Sequence, residues 1–296
     1  MSSGAPAPIR VLTGPTGVGK TERGLALAEA VGAEVISCDS RQVYRGLEIG
    51  TATPPPAELR RVRHHFIGEL DPSEPWTAGR FAREAEARIA GILGRGRSPL
   101  VVGGSTLYLE ALVHGLSNVP AVDADIRAGV SAEASTDAGR RLLLEELRAG
   151  DPSTARSIDA ANPSRVARAV EVLRATGRPI SSFRGAARAP AYRFVVQVLT
   201  RPLPLLKARI NARVDAMLER GLVEEVRGLL ASGLSPEAPA LRTIGYREPA
   251  AFQAGEIDHE AMVALLKRNT WAYARRQLTW FRRHPEYEWV DLGEGA

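Results

Sequence analysis

The chain has 296 residues, 44% of them hydrophobic, a formal net charge of +5 and one cysteine, Cys38. That size suits one large domain or two smaller ones with packed cores, and the lone cysteine excludes an internal disulfide, just as the Cys/His spacing excludes a zinc site. Residues 1–8 are small and polar with no signal-peptide core, and no stretch approaches the roughly 18 apolar residues of a membrane span; a cytoplasmic protein with a disordered tail and no membrane segment is expected.

Apolar runs and helical spacing alternate through the first third, the pattern of βα units and a parallel sheet. Residues 9–13 read as the first strand and 22–30 as the following helix. The second strand spans 34–38 and ends at Asp39-Ser40. Pro54-Pro55-Pro56 reads as a rigid turn. His64 and His65 are adjacent, so in extended chain they point to opposite sides, and a strand- or loop-positioning role is expected instead of a shared metal. A helix over 78–93 carries an apolar face of Phe81, Ala85, Ile89 and Ile92. Residues 99–102 form another buried strand ending in Gly103-Gly104, and 107–113 begins the next helix. Segment 119–192 is rich in Ala, Arg, Asp and Glu, with helical spacing at 142–147 and 166–173 and no strand pattern. It reads as an inserted all-helical subdomain, with a loop-like exit at 177–190, that divides a core of 1–118 and 193–296. The last strand is expected at 194–199, then helices at 203–220, 222–232 and 257–283, the third with breaks.

Residues Gly14, Pro15, Thr16, Gly17, Val18, Gly19, Lys20 and Thr21 form a complete G-x-x-x-x-G-K-T phosphate-binding loop between that first strand and helix. Its glycines let backbone wrap a phosphate, and its N–H groups and the helix N-terminus face the anion. Lys20 is one of three lysines beside 36 arginines, which makes a lysine at this place more telling. Thr21 has the hydroxyl that commonly holds Mg²⁺. Ligands of α/β sheets bind at the carboxyl ends of the strands, so Asp39 and the Gly103-Gly104-Ser105-Thr106 loop should converge on the phosphate loop. Asp39 reads as a metal ligand, a cap for the next turn or a general base. Phosphate-loop ATPases usually end an apolar strand in a magnesium-supporting Asp. Here that strand ends in two glycines, which counts against a motor or switch NTPase. Residues 265–285 carry Lys267, Arg268, Arg275, Arg276, Arg282 and Arg283, with no acidic residue and with Trp271, Tyr273, Trp280 and Phe281 interleaved. The segment is either a core helix with a solvated basic face or a nucleic-acid surface.

The combination resembles the tRNA dimethylallyltransferases, also called tRNA isopentenyltransferases, over nearly the whole chain. The matching elements are the phosphate loop, Asp39-Ser40-Arg41-Gln42-Val43-Tyr44, Gly50-Thr51-Ala52, His64-His65-Phe66 and Asp71-Pro72. Further on come Gly103-Gly104-Ser105 with Leu107-Tyr108, Asn162-Pro163-Ser164-Arg165 with Arg168-Ala169, Gly245-Tyr246-Arg247, and Arg275 through Arg282. The resemblance implies an α/β, P-loop NTPase-like parallel sheet flanked by helices. It also implies transfer of a dimethylallyl group from dimethylallyl pyrophosphate to N6 of the adenosine at tRNA position 37, with pyrophosphate leaving. Asp39 matches the family's general base and Thr16 the residue that hydrogen-bonds the departing oxygen. Lys20, Arg213 and Thr21 with Mg²⁺ would neutralise the leaving pyrophosphate. The tRNA contacts carry over to Asp39, Ser40, Arg41, Gln42, Ser105, Arg127, Ser164, Arg165, Val166, Ala167 and Arg168. They continue with Arg242, Thr243, Ile244, Gly245, Tyr246 and Arg247, then Arg275, Arg276, Gln277, Leu278, Thr279, Trp280, Phe281 and Arg282. The resemblance favours RNA contact for the basic carboxyl-terminal segment, implies that the inserted subdomain grips the anticodon stem, and implies a monomer.

This chain departs from the family pattern at Ser105-Thr106, where Thr-Gly is usual, at Thr53 in place of Lys, and at Thr270-Trp271 in place of Thr-Arg. The rival readings are an adenylate isopentenyltransferase acting on free AMP, ADP or ATP, a P-loop small-molecule kinase, and a non-catalytic RNA-binding protein. A free nucleotide requires neither the inserted segment nor the basic carboxyl-terminal motif, a kinase should have an acceptor site in place of Asp-Ser-x-Gln, and intact Lys20, Thr21 and Asp39 argue against a non-catalytic role.

Overall fold

The computed structural model describes residues 7–116, 119–158, 162–183 and 189–293; the amino-terminal tail as far as residue 6 lies outside them. Strands β1 (Ile9–Thr13), β2 (Ala33–Ser37), β3 (His64–His65), β4 (Ser98–Val102), β5 (Phe194–Thr200) and β6 (Glu288–Asp291) form one sheet. Its order is β3-β2-β4-β1-β5-β6, with every neighbouring pair parallel. Parallel pairing requires a crossover between strands. Helices α1 (Lys20–Val31), α2 (Pro56–Arg61) and α3 (Ala78–Gly94) supply the first three. Val11, Val101 and Ile36 align across β1, β4 and β2, and all are buried. The α/β parallel sheet flanked by helices expected from the sequence is present.

After β4, α4 (Thr106–Leu109) runs into a π-helical turn, Glu110–His114. Helices α5 (Ala124–Ala134), α6 (Asp137–Gly150), α7 (Pro152–Ser157) and α8 (Pro163–Thr176) follow. The chain divides into two compact units, Met1–His114 with Pro190–Ala296, and Gly115–Ala189. The second unit has its own core of Val130, Leu143, Leu147, Val166, Ala167, Ala169 and Val170. Arg174 of α8 forks onto Glu133 of α5 and Glu146 of α6, so one guanidinium ties three helices. In the first unit, α9 (Leu203–Glu219), α10 (Leu222–Ala231), α11 (Arg247–Gln253) and α12 (His259–Phe281) complete the fold. Leu12, Val18, Leu199, Leu206, Ile210, Ala274 and Leu278 form one cluster that joins β1, the phosphate loop, β5, α9 and α12. Among the described residues, no helix is long and apolar enough to cross a membrane.

Several elements differ from the sequence expectation. Phe194–Thr200 is not the last strand: β6 adds a sixth, paired Gln197↔Glu288 through Thr200↔Asp291. It is a four-residue strand with a mostly exposed pattern, so it has no apolar run to announce it. The segment 257–283 was expected to break. It forms a single helix of 23 residues, because it contains neither Gly nor Pro and its charges fall on the outer face. Asp258 caps it by accepting the Ala261 N–H at 2.8 Å. Short α7 and α11 carried no sequence signal long enough to separate them from loops. Pro56 does more than make a turn, since it opens α2 at the first helical position.

One half-buried carboxylate holds the loop that later lines the site. The Glu225 carboxylate on α10 accepts the backbone N–H groups of Glu48, Ile49 and Gly50 at 3.0, 2.7 and 3.1 Å. The hydroxyl of fully buried Tyr246 donates to the same carboxylate at 2.7 Å. Glu225→Ala would strand three loop donors and one hydroxyl, and a loss of about 1–3 kcal/mol is expected. Urea unfolding measures the loss, and faster amide exchange at residues 48–50 localises it.

Candidate active site at the carboxyl ends of the strands

Three loops emerge at one edge of the sheet because β1, β2 and β4 are parallel neighbours in register. The phosphate loop follows β1, Asp39 follows β2, and Gly103-Gly104-Ser105 follows β4. Their junctions are tight. Cys38 N–H donates to Val102 O at 2.8 Å, Ser105 N–H to Cys38 O at 3.3 Å, and Ser40 N–H to Ser105 Oγ at 3.0 Å. Cβ on Gly103 would lie 2.1 Å from Cys38 O, which accounts physically for glycine where an ATPase carries its metal-supporting Asp.

The phosphate loop is gripped by cations. Lys20 Nζ donates to Gly14 O at 3.0 Å and Pro15 O at 2.9 Å. Arg201 Nε donates to Val18 O at 2.9 Å, and Arg209 Nε to Gly17 O at 3.1 Å. Sequence reasoning missed Arg201 and Arg209. Arg201 directly follows β5, the strand beside β1, and Arg209 lies one helical turn before Arg213 on α9; only the placement of these elements beside the loop reveals either one. Burial pushes the Lys20 ammonium down to about 7, nearby Arg213 pushes the same way, and Asp39 opposes them. Burial likewise lowers Arg213, against the pull of Asp39. Among the described residues neither cation has an ion-pair partner. Arg213 donates to Thr51 O at 3.5 Å.

A cavity of 410 Å³ opens on the loop and is lined by Thr16, Gly17, Gly19, Lys20 and Thr21, with Asp39, Gln42, Arg209, Arg213 and Gln277 around it. A second cavity of 230 Å³ is lined by Ser40, Arg41, Ser105, Thr243, Ile244, Gly245 and Tyr246 among others. Thr16, Asp39, Thr51, Arg213 and Tyr273 line both. The sequence did not single out Tyr273 as a site residue; its place one turn before Gln277 on α12 was the available signal. Burial, then Asp39, pushes its hydroxyl above the ordinary tyrosine range. The Arg41 Nε is buried without a partner among the described residues, on the side chain that lines the second cavity.

Asp39 does act as a cap. Its Oδ1 accepts the N–H groups of Arg41 and Gln42 at 2.8 and 3.3 Å. Its Oδ2 takes no hydrogen bond among the described residues, so one oxygen fixes the carboxylate and the other is open. The histidine pair separates. His65 is buried with Nε2 2.8 Å from Glu34, whereas His64 lines the larger cavity and holds Val62 O through Nδ1. Glu110, His114 and His284 also cluster, but the two imidazoles stack with planes 16° apart. His114 Nε2 is already 2.7 Å from the Tyr287 hydroxyl and His284 Nδ1 3.1 Å from Glu286.

Burial divides the blocks implied as tRNA-binding. On α12, Arg275, Arg276, Thr279 and Arg282 are exposed and Trp280 is half-buried, whereas Gln277, Leu278 and Phe281 face inward. Arg276 lies over the Tyr273 ring at 6.0 Å. Arg242 and Arg247 are exposed, whereas Gly245 and Tyr246 are buried. In the second unit Arg127, Ser164 and Arg165 are exposed and Arg168 half-buried, whereas Val166 and Ala167 belong to that unit's core. The side chains of Val166, Ala167, Tyr246, Leu278 and Phe281 thus pack the interior, and their neighbours present the polar surface.

The family model described as IPP transferase matches residues 42–284. The chain is 49% identical over 283 residues to the tRNA dimethylallyltransferase of Salinibacter ruber, covering 95% of this chain and 87% of that protein. It is 43% identical to tRNA dimethylallyltransferase 1 of Trichlorobacter lovleyi, covering 97% and 95%. Among solved structures, the full-length tRNA isopentenylpyrophosphate transferase of Bacillus halodurans superposes with a TM-score of 0.71 at 37% identity, covering 98% and 91%. A eukaryotic dimethylallyltransferase acting on tRNA superposes with a TM-score of 0.81 at 27% identity, covering 98% of this chain and 75% of that one. With the match extending over most of its length, the chain belongs to the IPP transferase family, that of the tRNA dimethylallyltransferases.

Proposed function

We propose that the protein transfers a dimethylallyl group from dimethylallyl pyrophosphate to N6 of the adenosine at tRNA position 37, beside the anticodon, releasing pyrophosphate. The observation that carries this reading is the meeting of two cavities at Thr16, Asp39 and Arg213. One cavity holds the phosphate loop, and the other is lined by Ser40, Arg41 and Ser105. The donor's pyrophosphate sits on the loop, and the adenine, unstacked from the RNA, enters the second cavity. N6 attacks the allylic carbon, the carbon–oxygen bond breaks, its electron pair leaves with pyrophosphate, and Asp39 takes the N6 proton on Oδ2. Thr16, Lys20 and Arg213 face the leaving oxygens, where charge grows in the transition state.

The oxygen donors of the larger cavity fit Mg²⁺: Thr21 supplies a hydroxyl, and substrate phosphate oxygens would complete the shell. When bound, the ion supplies electrostatic neutralisation of pyrophosphate. The exposed Arg242, Arg247, Arg275, Arg276 and Arg282 of the first unit, with Arg127 and Arg165 of the second, are the proposed phosphate-backbone contacts. The second unit is proposed to grip the anticodon stem. The proposed setting is a cytoplasmic monomer.

Asp39→Asn keeps the cap acceptor but cannot take the proton. It is expected to lower the single-turnover rate by about 10²–10⁴-fold while tRNA affinity stays near wild type. Labelled donor, Mg²⁺ and unmodified tRNA provide the assay, with free AMP in parallel. Near-normal turnover removes the base assignment, and label entering AMP in place of tRNA removes the RNA acceptor.

Lys20 makes a pH prediction. In the free protein its ammonium is held near 7; a bound anion raises it. The complex therefore carries more protons than the free protein above pH 7, and affinity for inorganic pyrophosphate falls as pH rises, by at most about tenfold per unit. Calorimetry in buffers of different ionisation enthalpy measures the proton uptake. Lys20→Arg, charged throughout, cancels the ligand's own titration; equal uptake by both proteins would remove Lys20 as its source.

A further inference from the structure

We propose that Gln277 is a positioning residue: it holds the Pro15–Thr16 peptide of the phosphate loop against α12, so that the Thr16 side chain keeps its place where the two cavities meet. The inference rests on the transfer reading above. It departs from the family block in one respect, since Gln277 is there implied to touch tRNA. At 3% exposure on the inner face of α12 it does not reach the surface.

The contacts are specific. Gln277 Oε1 accepts the Thr16 N–H at 2.9 Å, and Gln277 Nε2 donates to Gly104 O at 2.7 Å. The first bond spans 261 residues and the second 173, so one side chain joins the loop after β1, the loop after β4 and the carboxyl-terminal helix. A neutral amide supplies the needed acceptor and donor together. The backbone has made room for it. Cβ on Gly104 would lie 2.7 Å from Gln277 Nε2 and 3.0 Å from Gly14 O.

The same peptide is gripped from its other end. Pro15 O and Thr16 N–H belong to one planar unit, and Lys20 Nζ donates to that oxygen at 2.9 Å. When Lys20 turns from the loop to a bound pyrophosphate, it gives up that carbonyl. Gln277 is then the remaining side-chain support of the peptide. On the outer side of the same helical turn stand exposed Arg275, Arg276 and Thr279. The helix that holds the acceptor RNA outside therefore fixes the leaving-group loop inside, and the two reactants are aligned through one rigid element.

The test compares Gln277→Met and Gln277→Glu with wild type in single-turnover transfer from dimethylallyl pyrophosphate to tRNA. Transfer by the wild type in the same assay tests the functional reading itself, so its failure is separate from failure of this proposal. Gln277→Met has similar length and neither hydrogen bond. It should lower the rate about 10- to 100-fold, leave tRNA affinity and its salt dependence unchanged, and lose amide-exchange protection at Thr16. In Gln277→Glu a protonated acid offers one acceptor and one donor, as the amide does, whereas the carboxylate is repelled by Gly104 O. Its rate relative to wild type should therefore rise as pH falls, while the ratio for Gln277→Met stays flat. Three results overturn the proposal. One is a wild-type rate in Gln277→Met. Another is weakened tRNA binding with a shallower salt slope, as expected of Arg276→Ala, which makes Gln277 an RNA contact. The third is an equal, pH-independent loss in both variants, which makes it packing alone.

Discussion

The site depends on which way the peptides of the phosphate loop face. Four of its carbonyls, those of Gly14, Pro15, Gly17 and Val18, are taken by the side chains of Lys20, Arg209 and Arg201. A trans peptide points its N–H opposite to its carbonyl, so the hold of Arg201 on Val18 O turns the Gly19 N–H the other way, whereas Pro15 has no N–H and the Thr16 N–H is taken by Gln277. Anion binding by such a loop is then a property of its surroundings as much as of its glycines. Among the described residues Lys20 and Arg213, both beside the loop, have no ion-pair partner. Burial of both costs free energy, as their lowered pKa values record. The proposed pyrophosphate would relieve it.

That arrangement also explains the missing acidic residue after β4. A carboxylate there would sit among the cations and neutralise them before any substrate arrived. Glycine serves two needs instead. Gly103 lets the backbone of β4 lie against Cys38, and Gly104 leaves room for the Gln277 amide. Among the described residues Asp39 and Glu22 line the larger cavity, and Asp39, tied by a single oxygen to its own turn, is near enough to Lys20 and Arg213 to act on both electrostatically. Such a site is polarised, with cations on one side and Asp39 on the other, which suits the proposed displacement at carbon between them.

The parts legible in the sequence are those with local signals. Strands β1, β2, β4 and β5 are apolar runs, and the phosphate loop has fixed spacing and a strand before it. Asp39 was readable as a cap, a base or a ligand, and the geometry shows the cap while leaving Oδ2 open. The parts that were illegible lack a local signal. Edge strands β3 and β6 are two and four residues long, and their pairing is decided by the strand beside them. Arg201 and Arg209 look like any other residues in a chain with 36 arginines; only the placement of β5 beside β1 and of α9 against the loop gives them work. Motif blocks show a related limit. Arg275 through Arg282 reads as one unit in a row of letters, but a helix turns successive residues through about 100°, so the block divides into an outward basic face and an inward apolar one.

The division of α12 carries a consequence for how substitutions on it should be interpreted. Leu278 and Ala274 share a core cluster with Leu12, Val18 and Leu199, so the helix that presents Arg275, Arg276 and Arg282 to solvent is packed directly on β1 and the phosphate loop. A change on the outer face alters attraction for a polyanion and leaves that packing intact, so it acts on binding and its salt dependence. A change on the inner face alters the loop itself and acts on the chemical step. Both kinds lie within eight consecutive residues. Loss of activity alone does not distinguish them; separate measurement of affinity and single-turnover rate does. The helix is thus a mechanical part as well as a binding surface, and its 23 unbroken residues are what allow the two faces to stay in fixed relation.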